Sequence, residues 1–466
     1  MTAISLERAG SLDRPDAVGV AGGTACGDLV RFTIALEDDR LARVRIGVDG
    51  CPATTAAAAW LADRAEGLGL LDAARLGIVA VLAGAGIDVE RRSCALVALD
   101  AFCAALGDAV SNRVTLPPDP GRVLVAMSGG VDSAVVAAGA VADGLRAVGC
   151  TLRLWIDPAS PDPERACCAP ESVRRARDLC HRLGIPHLAL DRRGPFVEAI
   201  VRPFVRSYAN SETPNPCVAC NGHFRFDELD SLRARLGAER LVTGHYARVV
   251  ERDGVPLVAR GVDPTKDQSY MLARLSPSLV ERVRFPLGGQ TKAATRARAA
   301  DLGLEAARVR ESQEVCFLGG GDYRGFLERQ GVSARPGPIE LPDGTVVGEH
   351  AGTHRFTPGQ RRGVGVSGTE PLHVLRIDAE RSAVVVAPRH ETGSSEVALR
   401  DLELHLPSVR NGAVGVKLRY RSPIVGGRLR GERLHLDEPT FGVAPGQTAA
   451  LYDDDAVVGV GTITAS

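Results

Sequence analysis

The chain has 466 residues, 45% of them hydrophobic and 24% charged, which is the composition of a globular protein of about two to four domains. A net charge of −1 excludes a strong overall positive field, so a nucleic-acid partner would need local basic patches. No apolar run is long enough to span a bilayer and no secretory signal is visible, which favours a cytoplasmic protein without a membrane partner. Eleven cysteines in such a protein indicate metal or redox chemistry.

The first unit, residues 1–114, combines strand-like and helical patterns, which predicts an α+β domain. Its expected elements are two strands followed by two helices, at Leu29–Leu36, Leu41–Val48, Pro52–Glu66 and Ala95–Leu106. The next segment, TLPPDPG at residues 115–121, predicts a linker because tandem proline and a closing glycine interrupt both helix and strand.

The second unit, residues 122–330, alternates apolar strands with helices, which is the pattern of a parallel α/β sheet. It opens with the strand-like run Arg122–Met127 and becomes mainly helical over Ser276–Gln330. Beyond it, short alternating strands separated by Gly and Pro turns predict an all-β end of the chain. We expect a central β-rich domain at residues 331–398 and a C-terminal β-barrel at residues 399–466.

A loop rich in glycine and serine, SGGVDS, lies between the first strand of this unit and the helix that follows. Its backbone N–H groups, hydroxyls and helix N-terminus suit a phosphate, but it lacks the GKS/T ending of a Walker loop. It resembles the loop of ATP pyrophosphatases, which have the adenine nucleotide α-hydrolase-like fold, and this implies ATP with Mg²⁺ and AMP transfer to a carbonyl oxygen. An incidental glycine-rich turn is the alternative. The residues expected at this ATP site are Ala126, Met127, Ser128, Gly129, Gly130, Val131, Asp132 and Ser133.

Five further segments narrow the choice among such enzymes. They are TPNPCVACN at Thr213–Asn221, TGHYARV at Thr243–Val249, KDQSYML at Lys266–Leu272, ESQEVCF at Glu311–Phe317 and GQRRGVG at Gly359–Gly365. In order and spacing they resemble the MnmA family of tRNA 2-thiouridylases, from about residue 122 to the C-terminus. The resemblance implies a tRNA uridine 2-sulfurtransferase that adenylates the 2-oxygen of the wobble uridine and replaces it with sulfur, giving 2-thiouridine, AMP and pyrophosphate. The implied partners are tRNA and a cysteine desulfurase or another sulfur donor.

The sulfur chemistry centres on three cysteines. The resemblance implies that Cys220 is the nucleophile and that Cys316 carries a persulfide, while Cys217 is a possible third thiolate. Because Cys217 and Cys220 form a CxxC pair, these three thiols are also suited to hold three irons of a [4Fe–4S] cluster. A structural zinc site with His223 as fourth ligand is a further alternative.

Other positions are assigned by the resemblance alone, and for each the alternative is a surface or packing role. Leu152 and Gly244 would line the ATP site, and His245 would orient groups there. The target base would meet Asn215, Pro216 and Cys217, and the wider tRNA would meet Lys266, Asp267, Gln268, Arg419, Tyr420 and Gln447.

The first unit resembles the IscU/NifU iron–sulfur scaffolds. Cys26, Asp28, Cys51 and Cys94 would form a three-cysteine, one-carboxylate site for a [2Fe–2S] or [4Fe–4S] cluster or for zinc, the alternative being buried packing residues. The LPPVK segment that such scaffolds carry before the third cysteine is replaced here by GIDVERRSC, so delivery within the same chain is expected instead of chaperone-driven release.

Two other functions remain open on the sequence: an ATP pyrophosphatase for a small carbonyl compound, and an iron–sulfur scaffold with a relict ATPase part. The basic stretch Arg282–Arg310 is either a tRNA contact or a solvated helix face. Cys103, Cys150 and Cys180 are expected to be buried.

Overall fold

The computed structural model describes residues 8–22, 27–161, 169–304, 315–366 and 370–465. The N-terminal unit is an antiparallel sheet of three strands in the order β1-β2-β3, packed against helices. Its elements are β1 (Ala17–Gly22), β2 (Leu29–Glu37), β3 (Arg40–Asp49), α1 (Pro52–Ala65), α2 (Leu70–Ala73), α3 (Ile78–Ala85) and α4 (Arg92–Asn112). The α+β prediction for this unit is confirmed, and β1 is a strand that the sequence patterns did not indicate.

Helix α4 is the centre of the N-terminal unit. It packs so closely on β1 that a Cβ atom at Gly19 would lie 2.1 Å from the Ala101 carbonyl oxygen, so only glycine fits there. The stretch Val89–Asn112 is long and apolar enough to cross a membrane, although no such run was expected from the sequence. Because 72% of its apolar window is buried inside the protein, it is a core helix.

The second unit is a five-stranded, fully parallel sheet in the order β10-β7-β4-β5-β6. Its parallel α/β architecture agrees with the sequence prediction. The elements are β4 (Asp119–Ala126), α5 (Val131–Ala142), β5 (Arg146–Arg153), α6 (Pro170–Arg182), β6 (His187–Asp191), α7 (Arg193–Phe196), α8 (Arg202–Ala209), α9 (Pro216–Cys220), α10 (Phe226–Arg235), β7 (Ala238–Val242), β8 (Ala247–Arg252), β9 (Val255–Arg260), α11 (Pro277–Val280), β10 (Val283–Arg284), α12 (Lys292–Asp301) and α13 (Tyr323–Arg329).

The segment expected as a linker, residues 115–121, is not free of the second unit. Leu116 N–H donates to the Arg235 carbonyl at 2.7 Å, and Asp119 N–H donates to the Gly237 carbonyl at 2.8 Å. Strand β4 begins at Asp119, and its one proline, Pro120, lies where the pairing with β7 is interrupted between Asp119 and Val123.

The C-terminal part is all-β, as predicted. One sheet has the order β12-β11-β14-β13, and six strands, β15 to β20, close into a barrel because β15 pairs with both β18 and β20. The β8–β9 hairpin of the second unit adds to the barrel through a pairing between β9 and β20. The strands are β11 (Gly337–Glu340), β12 (Val346–His350), β13 (Leu372–Asp378), β14 (Ala383–Pro388), β15 (Gly393–Leu404), β16 (Ala413–Lys417), β17 (Val425–Arg430), β18 (Arg433–Phe441), β19 (Thr448–Asp453) and β20 (Ala456–Ile463).

The N-terminal unit lies against the open edge of the parallel sheet. A Cβ atom at Gly107 of α4 would be 2.1 Å from the Ala189 carbonyl oxygen of β6, so the helix and the strand are in direct contact. Next to this contact, Asp100 of α4 accepts hydrogen bonds from Arg174 and Arg177 of α6, each at 2.7 Å. The Arg177 side chain is 2% exposed and that of Asp100 is 25% exposed, so the interface holds a buried guanidinium on a partly exposed carboxylate.

Candidate active site and scaffold site

The SGGVDS loop connects β4 to α5 through a tight turn. Gly129 has φ +73° and faces the Ser172 carbonyl oxygen, which a Cβ atom would approach to 2.4 Å. Ser133 Oγ accepts from Ser128 N–H at 3.2 Å and donates to the Gly130 carbonyl at 3.1 Å, so the loop is closed on itself. Backbone N–H groups at the start of α5 are thus held ready for an anion.

The loop carboxylate is held by a buried cation that sequence reasoning missed. Lys292 Nζ lies 2.7 and 2.8 Å from the two oxygens of Asp132, and the lysine side chain is only 6% exposed. Tyr246 Oη donates to Asp132 Oδ1 at 2.9 Å. Lys292 had been counted in the basic stretch, but it is not part of a solvated face. Its only sequence signal was a position beside the N-cap Thr291 of α12.

A cavity of about 200 Å³ opens at the carboxyl ends of the parallel strands, where such sheets bind ligands. It collects most of the residues predicted for the ATP site, while Gly129, Gly130 and Val131 form the turn beside it. Gln268, predicted as a tRNA contact, also lines the cavity and accepts from Tyr246 N–H at 2.9 Å. The lining residues are Ala126, Met127, Ser128, Asp132, Ser133, Cys150, Thr151, Leu152, Leu154, Arg225, Phe226, Leu229, Thr243, Gly244, His245 and Gln268.

His245 is an uncharged histidine in the wall of this cavity. Burial, followed by the charge of Arg225, lowers the pKa of His245 to about 3. Its Nδ1 is 2.9 Å from Thr243 Oγ1, and its ring packs against Phe226 and Phe285. The imidazole therefore acts through hydrogen bonds and shape, because it carries no charge at neutral pH.

The CxxC pair lies on a short helix that Asn215 fixes at its start. Asn215 Oδ1 accepts hydrogen bonds from Cys217 N–H and Val218 N–H, both at 3.2 Å, which is a side-chain N-cap of α9. Pro216 occupies the first helical position, where no N–H donor is needed. Cys217 is half-buried and Cys220 is 6% exposed, so the two thiols have different surroundings.

Cys316 begins a single helical turn that an aromatic cluster holds in place. Phe317 packs against Phe196 at 6.0 Å and Phe204 at 5.3 Å between ring centroids. Phe196 also packs against Phe224, with 5.6 Å between ring centroids, and Phe224 comes four residues after Cys220. The segments that contain Cys220 and Cys316 thus share one core, although they are almost a hundred residues apart in sequence.

The three thiols are not grouped as the ligands of a single metal ion would be. Among the described residues, the only group of three or more possible metal ligands within 4.8 Å of one another is Asp28, Cys51 and Cys94. Cys217, Cys220 and Cys316 are described and are not such a group, and the same holds for a set that includes His223.

The predicted tRNA triplet 266–268 is divided between the surface and the interior. Asp267 is 6% exposed, and its carboxylate accepts from Gly261 N–H, Ser269 N–H and Ser269 Oγ. Lys266 is half-buried beside it. Asp267 is therefore placed to shape the loop, which leaves Lys266 as the member on the outer side.

The barrel brings its predicted residues to the CxxC segment. Gln447 Nε2 donates to the Thr213 carbonyl at 2.8 Å, just before Asn215. Tyr420 is half-buried, and burial raises its pKa, as do the nearby charges of Asp267 and Cys217. Arg419 is exposed. The predicted base-contacting and tRNA-contacting positions thus meet where the barrel joins the second unit.

The basic stretch Arg282–Arg310 does not form one surface. Arg282 is paired with Asp230 at 3.0 Å, and Lys292 is buried on the loop carboxylate. Arg308 and Arg310 lie outside the described residues.

A second site, which we call the scaffold site, consists of Asp28, Cys51 and Cys94; the predicted fourth member, Cys26, lies outside the described residues. Asp28 accepts from Cys51 N–H at 3.0 Å and from Thr54 Oγ1 at 2.5 Å, and the Thr54 bond leads the lowering of the Asp28 pKa.

The pKa values of the two scaffold thiols are shifted in opposite directions. Burial would raise the pKa of Cys51, but hydrogen bonds from Thr54, Cys94 and the Ala53 N–H lower it below its ordinary value. Burial and the neighbouring Cys51 raise the pKa of Cys94. Cys51 is thus the first to become a thiolate, at the N-terminus of α1.

Three further cysteines lie in the interior, and none of them has a lowered pKa. Cys103, Cys150 and Cys180 are all buried, as expected, and burial raises the pKa of each.

Comparison with known proteins covers nearly the whole chain. Family profiles match in the order "NifU-like N terminal domain" (residues 7–114), "tRNA methyl transferase HUP domain" (121–320), "tRNA methyl transferase PRC-barrel domain" (324–388) and "Aminomethyltransferase beta-barrel domain" (394–463).

Curated relatives give the same division. The tRNA-specific 2-thiouridylase MnmA of Sorangium cellulosum is 42% identical over 75% of this chain and 94% of its own length, and that of Syntrophotalea carbinolica is 41% identical over 73% and 98%. The bifunctional protein NifU/MnmA of Rubrobacter xylanophilus is 41% identical over 99% of this chain and 96% of its own length. The chain therefore belongs to the family of bifunctional NifU/MnmA proteins, in which an N-terminal NifU-like domain is joined to a tRNA-specific 2-thiouridylase.

Proposed function

We propose that this enzyme replaces the 2-oxygen of the wobble uridine in tRNA with sulfur, at the expense of ATP. The observation that carries the proposal is an SGGVDS-lined cavity whose wall includes Arg225 and Phe226, shortly after the CxxC pair. The CxxC segment in turn shares an aromatic core with the Cys316 turn. A cytoplasmic location fits both substrates, ATP and tRNA.

The first half-reaction is adenylation of the uridine 2-oxygen. The N–H groups at the start of α5 bind the phosphates, and Mg²⁺ accompanies the nucleotide as part of the substrate. Lys292 and Tyr246 fix the Asp132 carboxylate at the cavity wall, so the loop does not reorganise when the nucleotide enters. Neutral His245 orients its neighbours without repelling a cation.

The second half-reaction is sulfur transfer through two thiols. The terminal sulfur of a Cys316 persulfide attacks C2 of the activated uridine, and AMP leaves with the former oxygen. The Cys220 thiolate then attacks the Cys316 sulfur, which breaks the S–S bond and releases 2-thiouridine. The resulting Cys220–Cys316 disulfide is returned to two thiols by an external thiol reductant. We favour this persulfide route over a three-thiolate cluster because it needs only Cys220 and Cys316, whose segments share one aromatic core.

The tRNA would bind across the junction of the barrel and the second unit. Asn215 and Pro216 set the CxxC helix against the target base, and Gln447 fixes the segment before it through the Thr213 carbonyl. Lys266, Arg419 and Tyr420 would contact the tRNA backbone, whereas Asp267 and Gln268 position their loop through hydrogen bonds within the protein.

The scaffold site fits iron or zinc, because two thiolates and one carboxylate within 4.8 Å of one another offer three of the four ligands of a tetrahedral site. Such a centre would supply bound sulfur or iron–sulfur cargo. Asp28 is oriented for this by the Cys51 N–H and Thr54, and the partially exposed Cys51 is open to a cysteine desulfurase or another sulfur donor.

The test is nucleoside mass spectrometry of tRNA from a strain that lacks the gene. We expect 2-thiouridine to be lost there, to return with the wild-type chain, and to stay absent with Asp132→Asn. Asp143→Asn, on the exposed end of the same helix, is the matched control and should restore it. Unchanged 2-thiouridine in the deletion strain would refute thiolation and leave a small carbonyl compound as the substrate of the ATP site.

A further inference from the structure

The scaffold site and the ATP cavity lie towards opposite ends of the interface that joins the two units. Strands β5 and β6 are parallel, so α6, which connects them, runs back from the carboxyl edge of the sheet to its amino edge. The start of α6 is at the catalytic edge, where the Ser172 carbonyl oxygen abuts Gly129 of the phosphate loop.

Helix α4 runs antiparallel to α6. Asp100 of α4 is bonded to Arg174, nearer the start of α6, whereas Arg92 at the beginning of α4 pairs with Asp178 at 3.0 Å. At the other end of α4, Gly107 touches Ala189 of β6. The beginning of α4 therefore points away from the catalytic edge.

Cys94 is at that distant end. The thirteen positions from Cys94 to Gly107 span about 20 Å of helix at roughly 1.5 Å per residue. Asp28 and Cys51 lie next to Cys94, on the side of α4 that faces the N-terminal sheet. They are therefore farther from the parallel sheet than Cys94 is. Sulfur transfer between thiols needs the two sulfur atoms in contact, so this gap cannot be crossed directly.

The contacts between the two units oppose a rotation of the N-terminal unit that would bring the scaffold thiols to the catalytic edge. Gly107 leaves no space for even one added carbon atom against β6, and Arg177, 2% exposed, is bonded to Asp100 and lies 3.7 Å from Cys103 Sγ. The Ala74 carbonyl oxygen also accepts a hydrogen bond from His187 N–H and lies 3.0 Å from His181 Nε2. A flexible tether, which delivery within one chain would need, is absent between the described residues of the two units.

We propose that sulfur gathered on the scaffold thiols is delivered to Cys316 of a second copy of the chain and not to Cys316 of the same chain. The proposal rests on the thiouridylase function proposed above. Each copy has one sulfur donor, the scaffold site, and one sulfur acceptor, Cys316. A second copy therefore supplies an acceptor that the donor can reach, at the same concentration as the donor. The donor end of the N-terminal unit faces away from its own catalytic edge, and Cys51, its partly exposed thiol, is the group that a second copy would meet.

The transfer is a thiol–disulfide exchange that consumes no oxidant or reductant. A persulfide on Cys51, loaded by a desulfurase-type persulfide donor, presents its outer sulfur to the Cys316 thiolate of the second copy. The bond between the outer sulfur and Cys51 breaks, and a bond to Cys316 forms. Cys51 leaves as a thiolate, and Cys316 becomes the persulfide.

The experiment expresses two defective chains with different affinity tags in a strain that lacks the gene. One has Cys51→Ser and cannot load the scaffold, and the other has Cys316→Ser and cannot accept sulfur. Each is first shown to be folded by a wild-type melting temperature and a wild-type rise of that temperature with ATP; Cys51→Ala replaces Cys51→Ser if it fails. Two quantities are measured: 2-thiouridine in tRNA, and the alkylated persulfide on the Cys316 peptide of the Cys51→Ser chain.

We expect each variant alone to give neither signal, and the two together to give the Cys316 persulfide and at least a third of the wild-type 2-thiouridine. Loss of both signals in the pair, with a working wild-type control, would mean transfer within one chain and would overturn the proposal. A persulfide on Cys316 when the Cys51→Ser chain is alone would overturn it too, because a separate carrier would then supply the sulfur. If the wild-type chain restores no 2-thiouridine, the thiouridylase function fails, while the Cys316 peptide still decides the route of sulfur.

Discussion

Replacing Lys292 with methionine should loosen the phosphate loop. The change keeps the length and packing of the side chain but removes the cation that lies 2.7 and 2.8 Å from the Asp132 oxygens. Tyr246 Oη would remain as one hydrogen-bond donor to the carboxylate. An ionised carboxylate would then stay at the cavity wall with its main partner gone.

The size of the effect follows from burial. Removing one member of a fully buried ion pair costs about 3–5 kcal/mol. Lys292 is 6% exposed but Asp132 is 29% exposed, so solvent compensates part of the loss and we expect about 2–3 kcal/mol. In a domain of this size, each kcal/mol lowers the melting temperature by roughly 2–4 °C.

A double-mutant cycle isolates the pair. Lys292→Met, Asp132→Asn and the combined variant are compared by urea unfolding, with AMP formation measured in parallel. The combined variant should be more stable than Lys292→Met alone, because it no longer has an unpaired charge. If the two single losses simply add, Lys292 and Asp132 do not stabilise each other, and the ion pair does not hold the phosphate loop.

Three further results are expected. Cys220→Ser and Cys316→Ser should each abolish 2-thiouridine, while Cys217→Ser should retain most of it; nucleoside mass spectrometry decides, and complete loss with Cys217→Ser would favour the cluster route. Gly107→Ala should lower the melting temperature by several degrees, since its Cβ would be 2.1 Å from the Ala189 carbonyl, whereas Gly289→Ala, with open space around it, should not. As pH falls, Cys94 should be the first scaffold thiolate to be protonated, because its pKa is raised, and Cys51 the last, because its pKa is lowered. Metal analysis after dialysis should therefore show a larger loss of metal with Cys51→Ser than with Cys94→Ser, and equal losses would contradict this order.

Local chemistry made most of the candidate site predictable from the sequence. The SGGVDS loop needed its glycines and its following helix, and Gly129 indeed has the positive φ that favours glycine. The alternation of strands and helices likewise predicted a parallel sheet, because that pattern depends only on neighbouring residues.

Contacts between distant segments were not predictable in this way. Lys292 lies 160 positions after Asp132, and no local periodicity marks a lysine whose partner comes from another element. The burial of Asp267 follows from three donors that the fold assembles around it. The placement of α4 on β6 rests on Gly107, which in the sequence is one small residue in an alanine-rich helix.

The two cysteines of the CxxC pair have different neighbours, and this bears on the mechanism. Cys220 is part of the core that also packs Cys316, through Phe224, Phe196 and Phe317. Cys217 is half-buried on the side of the barrel, close enough to Tyr420 for its charge to raise the pKa of that phenol. A relay of two thiols needs only the pair whose segments share the core, whereas a three-thiolate cluster would also need Cys217. We therefore propose that Cys217, beside Tyr420, meets the target uridine.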